Sequence, residues 1–577
     1  MVPNVVEAIE ESGTTLVFTN TRAMAEIWFR QILDLRPEWT DTLALHHGSL
    51  DRVERDKVEQ GIKTGALRAV VCTSSLDLGV DFSPVDRVIQ IGSPKGVARL
   101  LQRAGRSGHQ PGAPSRVTCV PTHSLELVEI ASARRAAEEG RIEAREPLPK
   151  PLDVLAQHLV TVATGPGFRE EAMLAEVRST LSYRNLTEEE WRWTMDFVIQ
   201  GGSSLRAYPE YRRVSLDDEG VYRVADPHIA KRHRMTIGTI TSDASISVRY
   251  QGGGVIGTVE ESFLARLKPG DRFLFGGRIL EFIRVKDMTA QVRRSTGAIG
   301  AVPRWGGSRL PLSGELSRAI RDELDRAKYG ELESPEMRAV APILETQAKW
   351  SILPGIDEFL IEKVQDKEGH HLFFYPFEGR LVHEGLAALF AYRITRQVKA
   401  TLSLACNDYG FELLSPQPIE LDDALDRGLF DEQGLVDEIY ASLNEVEMAK
   451  RQFREIARVA GLVFPGFPGM NKSAKQVQAS SGLFFDVFSR YDPDNLLLHQ
   501  AHREVLERQF EQTRLVQALT RIRRRRLIVT EPKRPTPFAF PIMVDRLRET
   551  LTSEKLGERI ERLADQLEIE AGLVSIQ

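Results

Sequence analysis

Cysteine is scarce in this chain: 577 residues carry three, Cys72, Cys119 and Cys406, with no paired spacing. That excludes a disulfide framework, offers no structural zinc and fits a reducing compartment. Long apolar runs are missing too. No stretch approaches the roughly twenty apolar residues that cross a bilayer, and the N-terminus has no basic segment leading into an apolar core. Neither a membrane protein nor a secreted one is expected; a cytoplasmic location is. Nor is there an excess of basic charge. Lys and Arg number 76 against 82 Asp and Glu, a net charge of −6, so any surface for nucleic acid has to be local. Two motifs of nucleotide hydrolysis are also absent from the sequence. It has no G-x-x-x-x-G-K-[ST] loop to cradle a β-phosphate and its metal ion, and no D-E-x-H segment to hold that metal and orient water.

What is present is a globular composition, 42% hydrophobic, long enough for about three or four domains. Residues 1–125 alternate helix and strand signals: Thr14–Thr19 is a β-branched run, Arg22–Leu35 has helical period, and Asp51–Thr64 is a charged amphipathic helix. This is the pattern of βα units on a parallel sheet. Polar residues follow the apolar runs, as Thr73-Ser74-Ser75 and, beyond a helical segment, Gln102-Arg103-Ala104-Gly105-Arg106-Ser107-Gly108-His109. Ligands of open α/β sheets bind at strand ends, and two arginines flanking a glycine suit a polyphosphate, with planar donors and a bare backbone between them.

At these residues the chain resembles a superfamily 2 helicase. TSSLDLGVD and QRAGRSGH look like motifs V and VI of the second RecA-like motor domain, and LVFTNTR and HHGSL like its motif IV region. The resemblance implies an α/β motor domain over residues 1–125 whose partner, the first RecA-like domain, is missing from this chain. It implies ATP with Mg as cofactor, the metal being held by that first domain. Arg106 is then an arginine finger, with Gln102 and Arg103 supporting the nucleotide face, Asp81 at the ribose, and Gly79, Gly105 and His109 on the same face. His109 stands where many members have Arg. Thr73 is expected at a nucleic-acid phosphate, and Asn20 and Arg22 as further backbone contacts.

Residues 126–227 read as a charged helical connector followed by three short helices, Leu152–Ala163, Phe168–Arg178 and Thr187–Gly201. Strand-like pieces follow at Leu205–Tyr211, Arg213–Leu216 and Val221–Val224. A winged helix is the economical reading, with Glu188–Gln200 in the recognition position. From 228 to 310 the texture is short β runs between glycines, a small barrel or curved sheet with recurring basic residues, among them Arg232, Arg234 and Arg304. Trp305 lies between Pro303-Arg304 and Gly306-Gly307, a loop setting that presents an aromatic face on which a base can stack. Residues 311–577 pass from α/β to helical after about 415, with helices expected to brace the β-rich module. RIRRRR at 521–526 is a candidate phosphate-binding run. His370, His371 and His383, with nearby glutamates, alternate with aromatics in what reads as a buried strand and turn. Structural histidines are expected there, and no metal site.

The order motor domain, winged helix, β-rich module ending in PRWGG and long α/β tail is that of the large helicase-related (Lhr) family. The stretch from ETQAKWSILPG to LSLACNDYGFELLS looks like its ligase-associated DEXH-box branch. That resemblance implies an α/β plus α+β multidomain fold and ATP-dependent, 3′-to-5′ translocation on single-stranded DNA with duplex or RNA–DNA hybrid unwinding. It also implies a DNA-repair setting beside an ATP-dependent DNA ligase and repair nucleases, and Trp305 stacking on the tracked strand. Two readings stay open. In one the chain is a helicase part catalytic only with the first motor domain restored; in the other it is an ATP-independent DNA-binding or scaffold protein.

Overall fold

The computed structural model describes residues 1–77, 85–108, 114–144, 148–239, 245–264, 267–286, 289–296, 310–396, 402–435, 438, 445–464, 466–467, 470–471, 474–509, 511–550 and 555–572. Two compact units result: Met1–Glu143 with Ser245–Ile439 and Thr513–Gln577, and Ala144–Ala244 with Tyr440–Gln512.

The first unit opens with five parallel strands, β1 (Thr15–Phe18), β2 (Leu43–His46), β3 (Ala69–Cys72), β4 (Arg87–Ile91) and β5 (Val117–Val120), in the order β2-β3-β1-β4-β5. Both faces of the central strands are covered, so β1 and β3 are buried at every position, and apolar at all but Thr15, instead of alternating. The helix Arg22–Leu35 packs on β2 and β3, and Ile32, Ala25 and Trp28 fill the core with Val17, Val71 and Ile89.

In the second unit the helices Leu152–Ala163, Glu170–Arg178 and Glu188–Gln200 precede a two-stranded wing, β6 (Ser215–Leu216) and β7 (Tyr222–Arg223). Leu205–Tyr211 is not a strand: positive φ at Gly201 and Gly202 turns the chain into a short helix, and Pro209 opens a 3₁₀ turn. The Glu188–Gln200 helix turns Trp191, Met195, Phe197 and Val198 inward. Its acidic start is explained locally by a capping box, in which Thr187 and Glu190 satisfy each other's backbone N–H groups at the positive end of the helix dipole.

The β texture read from 228 begins later than expected. Pro227–Arg234 is a helix, because Asp226 accepts the His228 N–H at 2.8 Å and Pro227 takes the first helical position. Back in the first unit, five strands follow: β8 (Ser245–Tyr250), β9 (Val255–Glu260), β10 (Arg272–Phe275), β11 (Arg278–Lys286) and β12 (Thr289–Arg294), in the order β10-β11-β12-β8-β9. Phe273, Phe275, Leu280, Phe282, Val292 and Val248 line its inner face.

A third sheet combines β13 (Glu358–Gln365), β14 (His370–Phe374), β15 (Ser403–Cys406) and β16 (Phe411–Ser415). A tiny hairpin, β17 (Gly466–Phe467) and β18 (Met470–Asn471), intervenes before β19 (Arg526–Thr530) joins that sheet parallel to β13. The chain after 415 is therefore not all helical: the branched run behind the arginines completes a sheet edge. The helices Glu445–Val459 and Leu496–Gln509, expected to brace the β-rich module, belong to the second unit. Their Phe453, Ala457, Leu497 and Ala501 pack with Leu155 and Leu159 of the second unit, where Gln500 accepts the Leu152 N–H at 2.9 Å.

Candidate functional site

Parallel strands bring their C-terminal ends to one edge of the first sheet, and the loops leaving that edge carry the polar residues singled out above. After β1, Thr21 caps the next helix by accepting the Met24 N–H at 3.1 Å. Arg22 starts that helix and donates to Ser49 Oγ at 2.8 Å, in the loop after β2. Asn20 crosses the other way: its Nδ2 donates to the Ser93 carbonyl at 2.7 Å, after β4, and its Oδ1 accepts from Gln90 at 3.4 Å. After β3, buried Thr73 lies with Oγ1 3.4 Å from Ser75 Oγ, which is 2.8 Å from His46 Nδ1. Burial pushes His46 down to about 4, leaving the ring neutral near pH 7. Asn20, Arg22 and Thr73 thus come together, and Ser49, Ser75 and His46 join them.

The helix Val97–Ala104 carries the arginine-rich segment. Its N-terminus is held by Glu143, which accepts the N–H groups of Val97 at 2.6 Å and Ala98 at 2.7 Å and a hydrogen bond from Ser313. Gln102 is exposed and Arg106 half-buried at the far end. Gly105 closes the helix with φ −65°, which any residue adopts, so its missing side chain leaves that end bare without serving the backbone. Arg103 is wholly buried. Its Nε donates to Asp77 Oδ1 at 2.9 Å, its Nη1 to Gln90 Oε1, and its guanidinium stacks 4.7 Å above the Phe18 ring. Arg103 therefore supports from inside, tying the Thr73–Asp77 segment at the strand ends to the helix that presents Arg106.

Several participants left little trace in the sequence. Residues 126–150 read as a charged connector, yet Glu126 accepts the Ser93 N–H at 3.0 Å. Glu129 pairs with Lys95 Nζ at 2.9 Å, and Asp408, from the turn before β16, holds the same ammonium at 3.0 Å. Lys95 itself has φ +61°, a strained conformation for a side-chain-bearing residue. A carboxylate 313 positions away in sequence, as Asp408 is from Lys95, or one on an ordinary helix, gives no local signal of such a role.

Asp81, Gly79, His109, Arg304 and Trp305 lie outside the described residues. Arg232 and Arg234 belong to the second unit, where Arg232 covers the Phe464 ring at 5.0 Å and Arg234 donates to the Thr164 carbonyl at 3.0 Å. The arginine run at 521–526 is divided: Arg521 pairs with Glu378 at 2.7 Å and Arg526 with Glu358, while Arg523 and Arg524 are exposed. His371 and His383 do not converge. His371 bridges Asp366 and Glu412, and His383 bonds the backbone at Asn407 and Glu378.

Known proteins match the chain in the same order. Residues 2–110 match the helicase conserved C-terminal domain, 135–302 the winged helix domain of large helicase-related protein, and 353–539 the DEAD/H associated domain. The chain is 30% identical over 574 residues to the ATP-dependent helicase Lhr-Core protein 2 of Thermococcus barophilus, covering 96% of this chain and 66% of that protein. It is 30% identical over 581 residues to the ATP-dependent helicase Lhr-Core of Methanothermobacter thermautotrophicus, covering 96% and 67%. The structure of Mycobacterium smegmatis helicase Lhr bound to ssDNA and AMP-PNP is similar with a TM-score of 0.66 at 25% identity, over 93% of this chain and 67% of that one. The chain spans about two thirds of the length of the curated relatives it matches.

Proposed function

Because the chain belongs to the large helicase-related (Lhr) family, we propose that it carries the second motor domain and the strand-handling modules of an ATP-dependent DNA helicase. In this reading the helicase translocates 3′-to-5′ on single-stranded DNA and unwinds duplex or RNA–DNA hybrid in DNA repair. Residues 1–125 are the motor domain, 126–227 the connector and winged helix, 228–310 the β-rich module and 311–577 the C-terminal region. The observation that carries the reading is the buried Arg103–Asp77 tie, which couples the strand-end loops holding Asn20, Arg22 and Thr73 to the helix end holding Gln102 and Arg106.

The donors at that helix end fit a polyphosphate: an Arg and a Gln around a bare Gly105, with no carboxylate among residues 102–108 to hold a metal. Bound ATP supplies the phosphoanhydride whose hydrolysis drives movement, and its Mg belongs with the phosphate-loop domain that this sequence does not contain. Arg106 offers charge to the phosphoryl oxygens, a contribution worth about 10³–10⁵ in rate when the rest of the site is assembled. Thr73 and Arg22 hold the strand's phosphates at the sheet edge, so a change at one ligand reaches the other through Arg103.

The test is DNA-stimulated ATP hydrolysis by this chain alone and after adding a separately expressed first motor domain from a related helicase. No activity alone, activity on mixing, and loss with Arg106→Ala are expected. Tight single-strand binding with no rescue on mixing would refute the catalytic reading and leave a binding protein.

A further inference from the structure

The β8–β12 sheet has a second face, and its composition is not that of an ordinary solvated surface. Strand register places Arg272, Glu281 and Arg293 in one row across β10, β11 and β12, and Arg284, Gln291 and Arg249 in the next row across β11, β12 and β8. Five of the six alternate with core residues of the inner face, and the register irregularity between Phe282 and Arg284 turns Arg284 to the same side as Gln291. The four arginines are exposed. Only one carboxylate sits among them: Glu281 pairs with Arg293 at 2.6 Å, and Arg284 donates to Gln291 at 2.9 Å. A sheet built for stability alone alternates charge across its strands, since like charges side by side repel. Here three positive charges remain in excess on a chain whose net charge is −6.

We infer that this outer face docks the phosphate backbone of a nucleic-acid duplex. The inference rests on the reading that the chain works on DNA, but it assigns a surface apart from the sheet edge that grips a single strand. None of the six residues is aromatic, so the face offers no platform for unstacked bases, the feature that marks single-strand sites. A duplex hides its bases and presents phosphates, which is what fixed guanidinium groups on a pleated surface match. The site reads charge and not sequence.

Arg249→Gln/Arg284→Gln in the full chain, with Arg249→Lys/Arg284→Lys beside it, tests this by fluorescence anisotropy over a salt series on a blunt duplex and on one of its strands. Loss of two phosphate contacts is expected to make the duplex salt slope shallower by about 1.8, at roughly 0.9 per phosphate. Single-strand binding should be unchanged, and the Lys pair should keep the wild-type slope. These positions are exposed, and an unchanged melting temperature confirms the fold. An unchanged duplex slope overturns the proposal, and so does an equal loss on the single strand. If wild type binds neither substrate, the DNA reading itself fails and the proposal falls with it, an outcome distinct from the other two.

Discussion

Arg103→Met removes the buried cation between the strand-end loop and the arginine-bearing helix while keeping a chain of similar length. Asp77, 7% exposed, then keeps its charge with no guanidinium, Gln90 loses a donor, and the Phe18 ring loses its cation. Breaking a buried pair from one side costs about 3–5 kcal/mol, because the remaining charge is left uncompensated. Converting both partners, Arg103→Met with Asp77→Asn, should recover much of that loss, since an apolar replacement of a whole buried pair is close to neutral. Hydrogen exchange by mass spectrometry on β1, β3 and β4 is the suitable assay, because a chain with two compact units need not unfold in one step. The single variant is expected to raise exchange of these amides by about 10²–10⁴, and the double variant by clearly less than the sum of the singles. A single-variant loss below about 1 kcal/mol, or strict additivity, would refute the claim that this pair ties the strand-end loop to the arginine-bearing helix.

Other perturbations address other links. Arg22→Gln should lower the single-strand salt slope by about 0.7 without changing affinity extrapolated for other contacts, as read in titrations at several salt concentrations. Gly277→Ala should destabilise the β10–β11 turn: φ is +69° there, and a methyl group would stand 2.4 Å from the Phe29 ring, so thermal melting should report a loss. Glu26→Gln should loosen the same turn, because buried Glu26 accepts the Gly276 and Gly277 N–H groups at 2.6 and 2.7 Å; faster exchange of those two amides is the readout. His383 is held down to about 4 by burial, with Nε2 accepting the Glu378 N–H. The unfolded histidine takes its proton near 6.5, so this contribution is full above 6.5 and is lost as pH falls toward 4. In His383→Asn the melting temperature should depend less on pH across that window. His371 runs the other way: burial opposes its charge, but Glu412 and Asp366 hold its pKa above the ordinary value, so its stabilisation is lost as pH rises through that raised value.

By itself the sequence determined the parallel motor sheet, the winged helix and the residues of the strand-end loops. Their signals are local: continuous apolar runs for strands buried on both faces, a 3.6 period for the helices, and polar residues set just after each run. The polar stretches Thr73-Ser74-Ser75 and Gln102–His109 were legible on that ground, whereas Asn20 and Arg22 were named only through the family resemblance. The tertiary structure alone decided that Arg103 turns inward, because its partners are gathered from two strands, Phe18 on β1 and Gln90 on β4, and from the turn after β3 that carries Asp77. It alone placed the helices of 445–509 with the winged helix and returned Arg526–Thr530 to the third sheet, since apolar period shows that a face is buried and not against what. It also brought Glu126, Glu129, Glu143 and Asp408 to the sheet edge. A buried carboxylate is chosen by the N–H groups and cations around it, and those converge only when the chain has folded.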